Sequence, residues 1–317
     1  TFLYDLLLIT ILGPYTATVG AFAETEIDAI HRKLSSFPLL MGTISGESAG
    51  DIYGQSVTSS SDGMIIASGS DGHDSSRGNV RIFEWSGSSF VQKGSTLYGE
   101  ATGEEFGRSV SLSSDGLILA VGASNSNGSG RVRVYEWNGS IYAQKGSSID
   151  GDGGTDDSFG NAVAISSDGL ILATGAPQYS VGNGYVYVFE WDGSSGCIQK
   201  GSKLVGAAFN DVFGQTVSLS SDGMILGVGA PYYDGSATSS GRAQVFEWNG
   251  SQYTQRGSNI DSEAADDESA WSISLSSDGS ILAVGAWFND GNGVNSGHVR
   301  VFEWNGSDYF QKGSDID

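Results

Sequence analysis

The chain has 317 residues, with 37 Asp plus Glu against 15 Lys plus Arg, a formal charge of −22 and a pI near 4.2. So large a surplus of carboxylate argues against nucleic acid or an anionic membrane as partner, because both require a basic patch. With 48 Gly, 4 Pro and 34 aromatic residues the composition excludes disorder and collagen and suits short strands joined by tight turns, and the single cysteine, Cys197, excludes an internal disulfide.

Taken in chain order, residues 1–23 hold the apolar run Leu6–Leu12 and the small-x-small triplet Ala21-Phe22-Ala23 before Glu24, the pattern of a secretory signal. Thr1–Asp5 carries no Lys or Arg, and Gly13-Pro14 interrupts the run, so an apolar docking segment is the alternative and a membrane span is disfavoured. Residues 24–40 form a linker in which Ile27, Ile30, Leu34 and Phe37 fall at helical spacing. A short amphipathic helix is expected over 25–36, capped by Thr25 and ended by Pro38.

From residue 41 to 317 the text repeats. Glu-Trp returns at Glu84-Trp85, Glu136-Trp137, Glu190-Trp191, Glu247-Trp248 and Glu303-Trp304, closing units spaced 52 to 57 residues apart. A unit of this length cannot bury both its faces alone, so successive copies must stack. The second copy shows four strands: Arg108–Ser113, Leu117–Val121, Val132–Trp137 and Tyr142–Lys145. Its second strand is continuously apolar, as expected of a strand covered on both sides. Asp-Gly separates the first two strands at Asp62, Asp115, Asp168, Asp222 and Asp278, because Gly accepts positive φ cheaply. A second turn, Asn-Gly-Ser or a close variant, follows each Trp. The fold expected is all-β: a β-propeller of four-stranded antiparallel blades, with five repeats present as the whole or part of a six- or seven-bladed ring.

Phe106-Gly107, Phe159-Gly160 and Phe213-Gly214 open units whose second strand ends in Gly122-Ala123, Gly175-Ala176-Pro177 and Gly229-Ala230-Pro231. This arrangement resembles the FG-GAP repeat, the family that includes the propeller of integrin α subunits and many secreted microbial and algal proteins. The Trp followed by a Gln-Lys-Gly-Ser strand is similar to a subgroup of algal and bacterial surface proteins. The first copy departs with Tyr53-Gly54 and Ser68-Gly69-Ser70, and the fifth with Ala270-Trp271 and Gly285-Ala286-Trp287.

The resemblance implies calcium bound through an acidic loop between the first two strands, but that loop is reduced here to Ser-Ser-Asp-Gly in every copy. One carboxylate cannot supply the six to eight oxygens that Ca²⁺ takes, so no cofactor is expected there. A second acidic set joins each unit to the next: Asp150, Asp152, Asp156 and Asp157 as weak metal candidates, and Asp261, Glu263, Asp266, Asp267 and Glu268. It should lie at the same end as the loops between second and third strands, as a solvated rim or a cation-binding face. Those loops vary most among the copies and carry Tyr179, Tyr232, Tyr233, Asp234, Trp287, Phe288 and Asp290, the candidate ligand-binding residues. Their aromatics either stack on a sugar or anchor a protein, or fold back over the sheet ends.

Asn127, Asn138, Asn249 and Asn305 head glycosylation sequons, although Asn-Gly is also a favoured turn. His31, His73, His298 and Cys197 show no catalytic arrangement. The function expected is non-catalytic binding or adhesion by a secreted or cell-surface propeller, with a protein or glycan as partner. A structural subunit of a larger assembly is the alternative, and a glycosidase or lyase using two carboxylates a further one. Leu39–Ile44 matches Gln92–Leu97, so one copy of the fourth strand is surplus: either it closes the last sheet and displaces Phe310–Ile316, or further repeats complete the ring.

Overall fold

A computed structural model describes residues 43–152, 157–178, 182–194, 196–235 and 237–316. The leader and helix expected over 1–36, the early strand-like segment from Leu39, Asp156 and Tyr179 lie outside the described residues. The hairpin tip Trp85–Val91 is grouped with residues 43–45, among those described, in one compact unit; in the tip Trp85 meets Phe90 edge-on at 5.2 Å and the Ser86 amide donates to the Ser89 carbonyl. Residues Gly46–Glu84 and Gln92–Asp317 form the other unit.

Five antiparallel sheets follow one another along the chain, four of five strands and the last of four. The first has β1 (Ser56–Ser59), β2 (Ile65–Ser70), β3 (Asn79–Trp85), β4 (Phe90–Gln92) and β5 (Leu97–Tyr98). The second has β6 (Phe106–Leu112), β7 (Ile118–Ala123), β8 (Arg131–Trp137), β9 (Tyr142–Gln144) and β10 (Ile149–Asp150). The third runs from β11 (Ala162–Ile165) through β12 (Ile171–Ala176), β13 (Tyr185–Trp191) and β14 (Cys197–Gln199) to β15 (Leu204–Val205). The fourth comprises β16 (Thr216–Leu219), β17 (Ile225–Ala230), β18 (Arg242–Trp248), β19 (Tyr253–Gln255) and β20 (Ile260–Asp261). The fifth comprises β21 (Ser269–Leu275), β22 (Ile281–Ala286), β23 (His298–Trp304) and β24 (Tyr309–Gln311).

Each sheet is the expected meander with one addition. After the fourth strand the chain kinks and a two-residue strand pairs with the opposite end of the third, as Ile149 and Asp150 do with Val132 and Arg131. In the fifth sheet this reduces to a bridge between Ile316 and Val299, while Tyr309–Gln311 pairs with β23. The closing strand of the last copy is therefore in place, which corrects the expectation that Phe310–Ile316 could be displaced.

The Ser-Ser-Asp-Gly turns explain themselves. In the first, the Ser60 hydroxyl donates to Asp62 Oδ1 at 2.6 Å, Asp62 accepts the Met64 amide, and Gly63 adopts φ +70°. The second Ser of each turn donates its amide to the matching carbonyl in the next sheet, from Ser61 to Ser114 and onward through Ser167 and Ser221 to Ser277, at 2.8 to 2.9 Å. The carboxylate is spent on the turn.

The motif glycines form the seams between sheets. A Cβ on Gly122 would lie 1.9 Å from the Gly160 carbonyl oxygen, and one on Gly175 1.9 Å from that of Gly214. The glycine ending one second strand thus receives the Phe-Gly backbone of the next unit at a distance no other residue allows. Phe106, Phe159 and Phe213 are fully buried beside these contacts. In the fifth unit the Phe-Gly place is held by Ser269-Ala270, one residue earlier than the Ala270-Trp271 expected, and Ala270 takes the Gly place at φ +66° facing Gly229.

The repeated Glu, Trp and Lys form a second seam. Lys200 pairs with Glu190 of its own sheet at 2.9 Å and lies over the Trp248 ring of the next, 4.3 Å from its centroid. Lys93 does the same with Glu84 and Trp137, Lys145 with Glu136 and Trp191, and Arg256 with Glu247 and Trp304.

Candidate functional site

At the ends of the second strands, the loop to the third strand meets the connection arriving from the previous unit: Asn125 donates its amide to the Glu104 carbonyl and Gln178 to that of Asp157. The acidic connections and the variable loops therefore share one end of the sheets. The expected solvated acidic rim needs correction, because one acid per unit is buried: Asp51, Glu104, Asp157, Asp211 and Asp267. Each stands two residues before the Phe-Gly place and turns back into its own loop. Asp51 Oδ2 accepts the Ser48 and Glu47 amides at 2.7 and 2.9 Å, Asp211 Oδ2 accepts that of Ala208 at 2.6 Å, and Asp267 Oδ2 accepts the Ser262 hydroxyl at 2.6 Å. The following residue is left-handed in every copy: Ile52, Glu105, Ser158, Val212 and Glu268.

Burial pushes the Asp51 carboxyl up, but the amides of Ser48 and Glu47 and the His73 ring together hold it below the usual carboxylate range. Asp211, with burial dominating, is held above it. These acids are the residues that sequence reasoning missed as a group. Their constant offset of two residues from the Phe-Gly place was the available signal.

The weak metal candidates are dispersed among other partners. Asp150 receives Arg131 through two oxygens at 2.5 and 3.2 Å, Asp152 receives Lys203 at 2.8 Å and the Tyr187 hydroxyl at 3.0 Å, and Asp157 receives Gln178 at 2.7 Å and the Tyr185 hydroxyl at 3.2 Å. Burial foremost raises the Tyr185 hydroxyl.

The loop aromatics separate into two behaviours. Tyr233 folds back under Arg242, whose guanidinium lies 3.6 Å from its ring centroid, and packs against the core. Tyr232, Trp287 and Phe288 join a row. Trp271, on the first strand of the fifth sheet, stacks on Trp287 at 4.4 Å with planes 19° apart. The Tyr232 ring centroid lies 6.2 Å from that of Trp271, and Phe288 lies 4.6 Å from Trp287. Trp287 is 49% exposed, and its indole N–H donates to Glu268 Oε2 at 2.8 Å. Asp234 and Asp290 instead close their own loops by accepting the amides of Ser239 and Asn295 at 2.7 Å.

Trp271 stands one residue after the Phe-Gly place, where earlier units have Gln55, Arg108, Asn161 and Gln215. These side chains touch from sheet to sheet: Arg108 Nε donates to Asn161 at 3.4 Å and Asn161 donates to Gln215 at 3.2 Å. A polar ladder along the first strands thus leads towards an aromatic platform. Asn127, Asn138, Asn249 and Asn305 are all exposed, and the amide oxygens of the last three accept turn N–H groups.

Comparison with known proteins fits this construction. The FG-GAP repeat family matches residues 205–246 and 261–302. The chain carries FG-GAP repeats. The matched residues take in the first three strands of the fourth and fifth sheets, short of the last two residues of the third, with the connections that lead into them. No curated protein matches the chain. Among solved structures, Kuenenia stuttgartiensis hydrazine synthase is similar over 85% of this chain and 69% of its own, at 14% identity and TM-score 0.55. A candidate 6-phosphogluconolactonase from Bacteroides fragilis is similar over 83% of this chain and 71% of its own, at 12% identity and TM-score 0.59. At such identity the likeness is one of fold.

Proposed function

We propose that this FG-GAP protein is a secreted or cell-surface binding module that holds a glycan, without turning it over, on the platform of Tyr232, Trp271, Trp287 and Phe288. The observation that carries this reading is the Trp271–Trp287 stack, half open to solvent, with a carboxylate at its edge. Indole faces pack against the C–H face of a pyranose, and neighbouring carboxylate, amide and guanidinium groups bind its hydroxyls. Glu268, which accepts the Trp287 indole N–H, supplies such a group. The test is a glycan array probed with the purified chain and with Trp271→Ala and Trp287→Ala. Specific glycans should be retained by the wild type and lost by at least tenfold in both variants at unchanged melting temperature. Absence of glycan binding, or equal binding by the variants, would reject the reading.

A second reading, a subunit of a larger assembly, is favoured by the face of the fifth sheet that points away from the fourth. Val299 is 37% exposed there, whereas the matching Val80, Val132, Val186 and Ala243 are fully buried. Gly285, unlike Gly122, Gly175 and Gly229, meets only its own neighbour Ser272. A pocket of about 550 Å³ lined by Glu303, Trp304 and Lys312 opens beside the Lys that elsewhere stacks on a following Trp. Another sheet of the same repeat type fits this face, whichever chain supplies it. Sedimentation velocity over a hundredfold concentration range tests assembly: association weakened by Val299→Glu supports it, and a concentration-independent monomer rejects it.

A further inference from the structure

Near the start of the third strand, carboxylates from the arriving connection, from the short closing strand, or from both gather in several sheets, and in three of them they hold a basic side chain. In the second sheet Arg131 lies between Glu100 at 3.1 Å and Asp150 at 2.5 Å. In the third, Lys203 reaches Asp152, the counterpart of Glu100, at 2.8 Å. In the fourth, Arg242 pairs with Asp261 at 2.5 Å. The fifth sheet keeps the acid of the arriving connection, gains a second one and changes the cation. The place of Arg131 and Arg242 is taken by His298, that of Lys203 by an acid, Asp315, and that of Glu100 by Glu263.

One imidazole nitrogen of His298 and one oxygen each of Glu263 and Asp315 lie within 4.8 Å of one another. His298 is 6% exposed, its Nδ1 lies 3.8 Å from Asp315 Oδ2, and its Nε2 is buried without a hydrogen-bond partner among the described residues. Arg300, 3.6 Å from Glu263, is not the counterpart of Arg131. It repeats Arg133, which contacts Glu100 at 3.1 Å in the second sheet while Arg131 is also present.

We propose that Glu263, His298 and Asp315 bind a divalent transition-metal ion of the zinc type, which replaces the positive charge that the other pockets draw from Arg or Lys. The donor set selects the ion. An imidazole nitrogen with two carboxylate oxygens suits Zn²⁺, whereas Ca²⁺ takes oxygen ligands in larger number. Ligand bonds of about 2.1 Å need only a modest closing of the three side chains, leaving a fourth position for water. The site shares no residue with the aromatic platform, although His298 pairs with Ala286, the neighbour of Trp287, so zinc binding is tested apart from the glycan reading.

The experiment is calorimetric titration of the full chain with ZnCl₂ in a non-coordinating buffer, alongside thermal melts with and without zinc. The wild type should bind one zinc ion and melt at higher temperature with it. Glu263→Gln and His298→Asn should weaken binding at least tenfold. His298→Arg restores the side chain that the repeat uses elsewhere, so it should fold, lose zinc binding, and melt without metal at or above the apo wild type. His73→Asn, which alters the imidazole beside Asp51, should leave the titration unchanged. No saturable zinc binding, or binding undiminished in both Glu263→Gln and His298→Arg, would overturn the proposal.

Discussion

Single residues at the seams have opposite margins. Ala270 is held at φ +66°, a region that costs a side chain of order 1 kcal/mol, so Ala270→Gly should stabilise the fold by about 0.5 kcal/mol. Gly122→Ala should destabilise it by more than about 3 kcal/mol, because the new carbon meets backbone that cannot retreat. Urea midpoints measure both. The turn acid Asp278 has its carboxyl drawn down from 3.8 to about 2 by the Ser276 hydroxyl and the Ser280 amide and hydroxyl. A depressed folded-state value adds stability that is complete above the unfolded value and lost as pH falls through the folded one. Asp278→Asn should therefore flatten the loss of stability between pH 4 and pH 2, read from urea melts across that window. At this scale the site was half legible. Tyr232, Trp287 and Phe288 could be chosen because they vary on a constant scaffold, whereas Trp271 reads in the sequence as a defect in the Phe-Gly motif. Only the stacking of neighbouring first strands shows that it completes the row. The five buried acids were hidden for a similar reason: an Asp or Glu in a polar, glycine-rich connection carries no mark of burial until the loop closes over it.

Strands and turns were far more legible, since Asp-Gly, the apolar second strand and Glu-Trp each mark a boundary through local backbone and pairing preferences. Predicted strands in the second sheet agree with β6 to β9 to within two residues. The two-residue strands β5, β10, β15 and β20 escaped notice because so short a segment has no periodicity and is held by the partner it returns to. The Lys of the fourth strand shows what the repeated text is for. Lys200→Met, which removes the Glu190 pair and the contact with Trp248, should cost about 1–2 kcal/mol. Lys312→Met should change stability by less than about 0.5 kcal/mol, because Lys312 pairs only with Glu303 among the described residues and is 55% exposed. Guanidinium melts of the two variants side by side test the difference.

For the whole molecule, a formal charge of −22 on 317 residues makes like-charge repulsion a general opponent of folding. Raising NaCl from 10 to 500 mM should increase the melting temperature, since the Debye length shrinks from about 30 Å towards 4 Å while the partly buried Lys–Glu pairs are screened less. A fall in melting temperature over that range would mean that surface pairs outweigh the repulsion. The seams also bear on how such a chain can change length. Gly122 receives the carbonyl of Gly160 just as Gly175 receives that of Gly214, so any unit presents to its successor the same socket that it fills in its predecessor. Excising residues 160–213 would bring Gly214 to Gly122 and leave every junction chemically intact. Genetic recombination within such a gene can therefore add or drop a whole module without inventing a new contact, and the number of modules is free to drift while their design stays fixed.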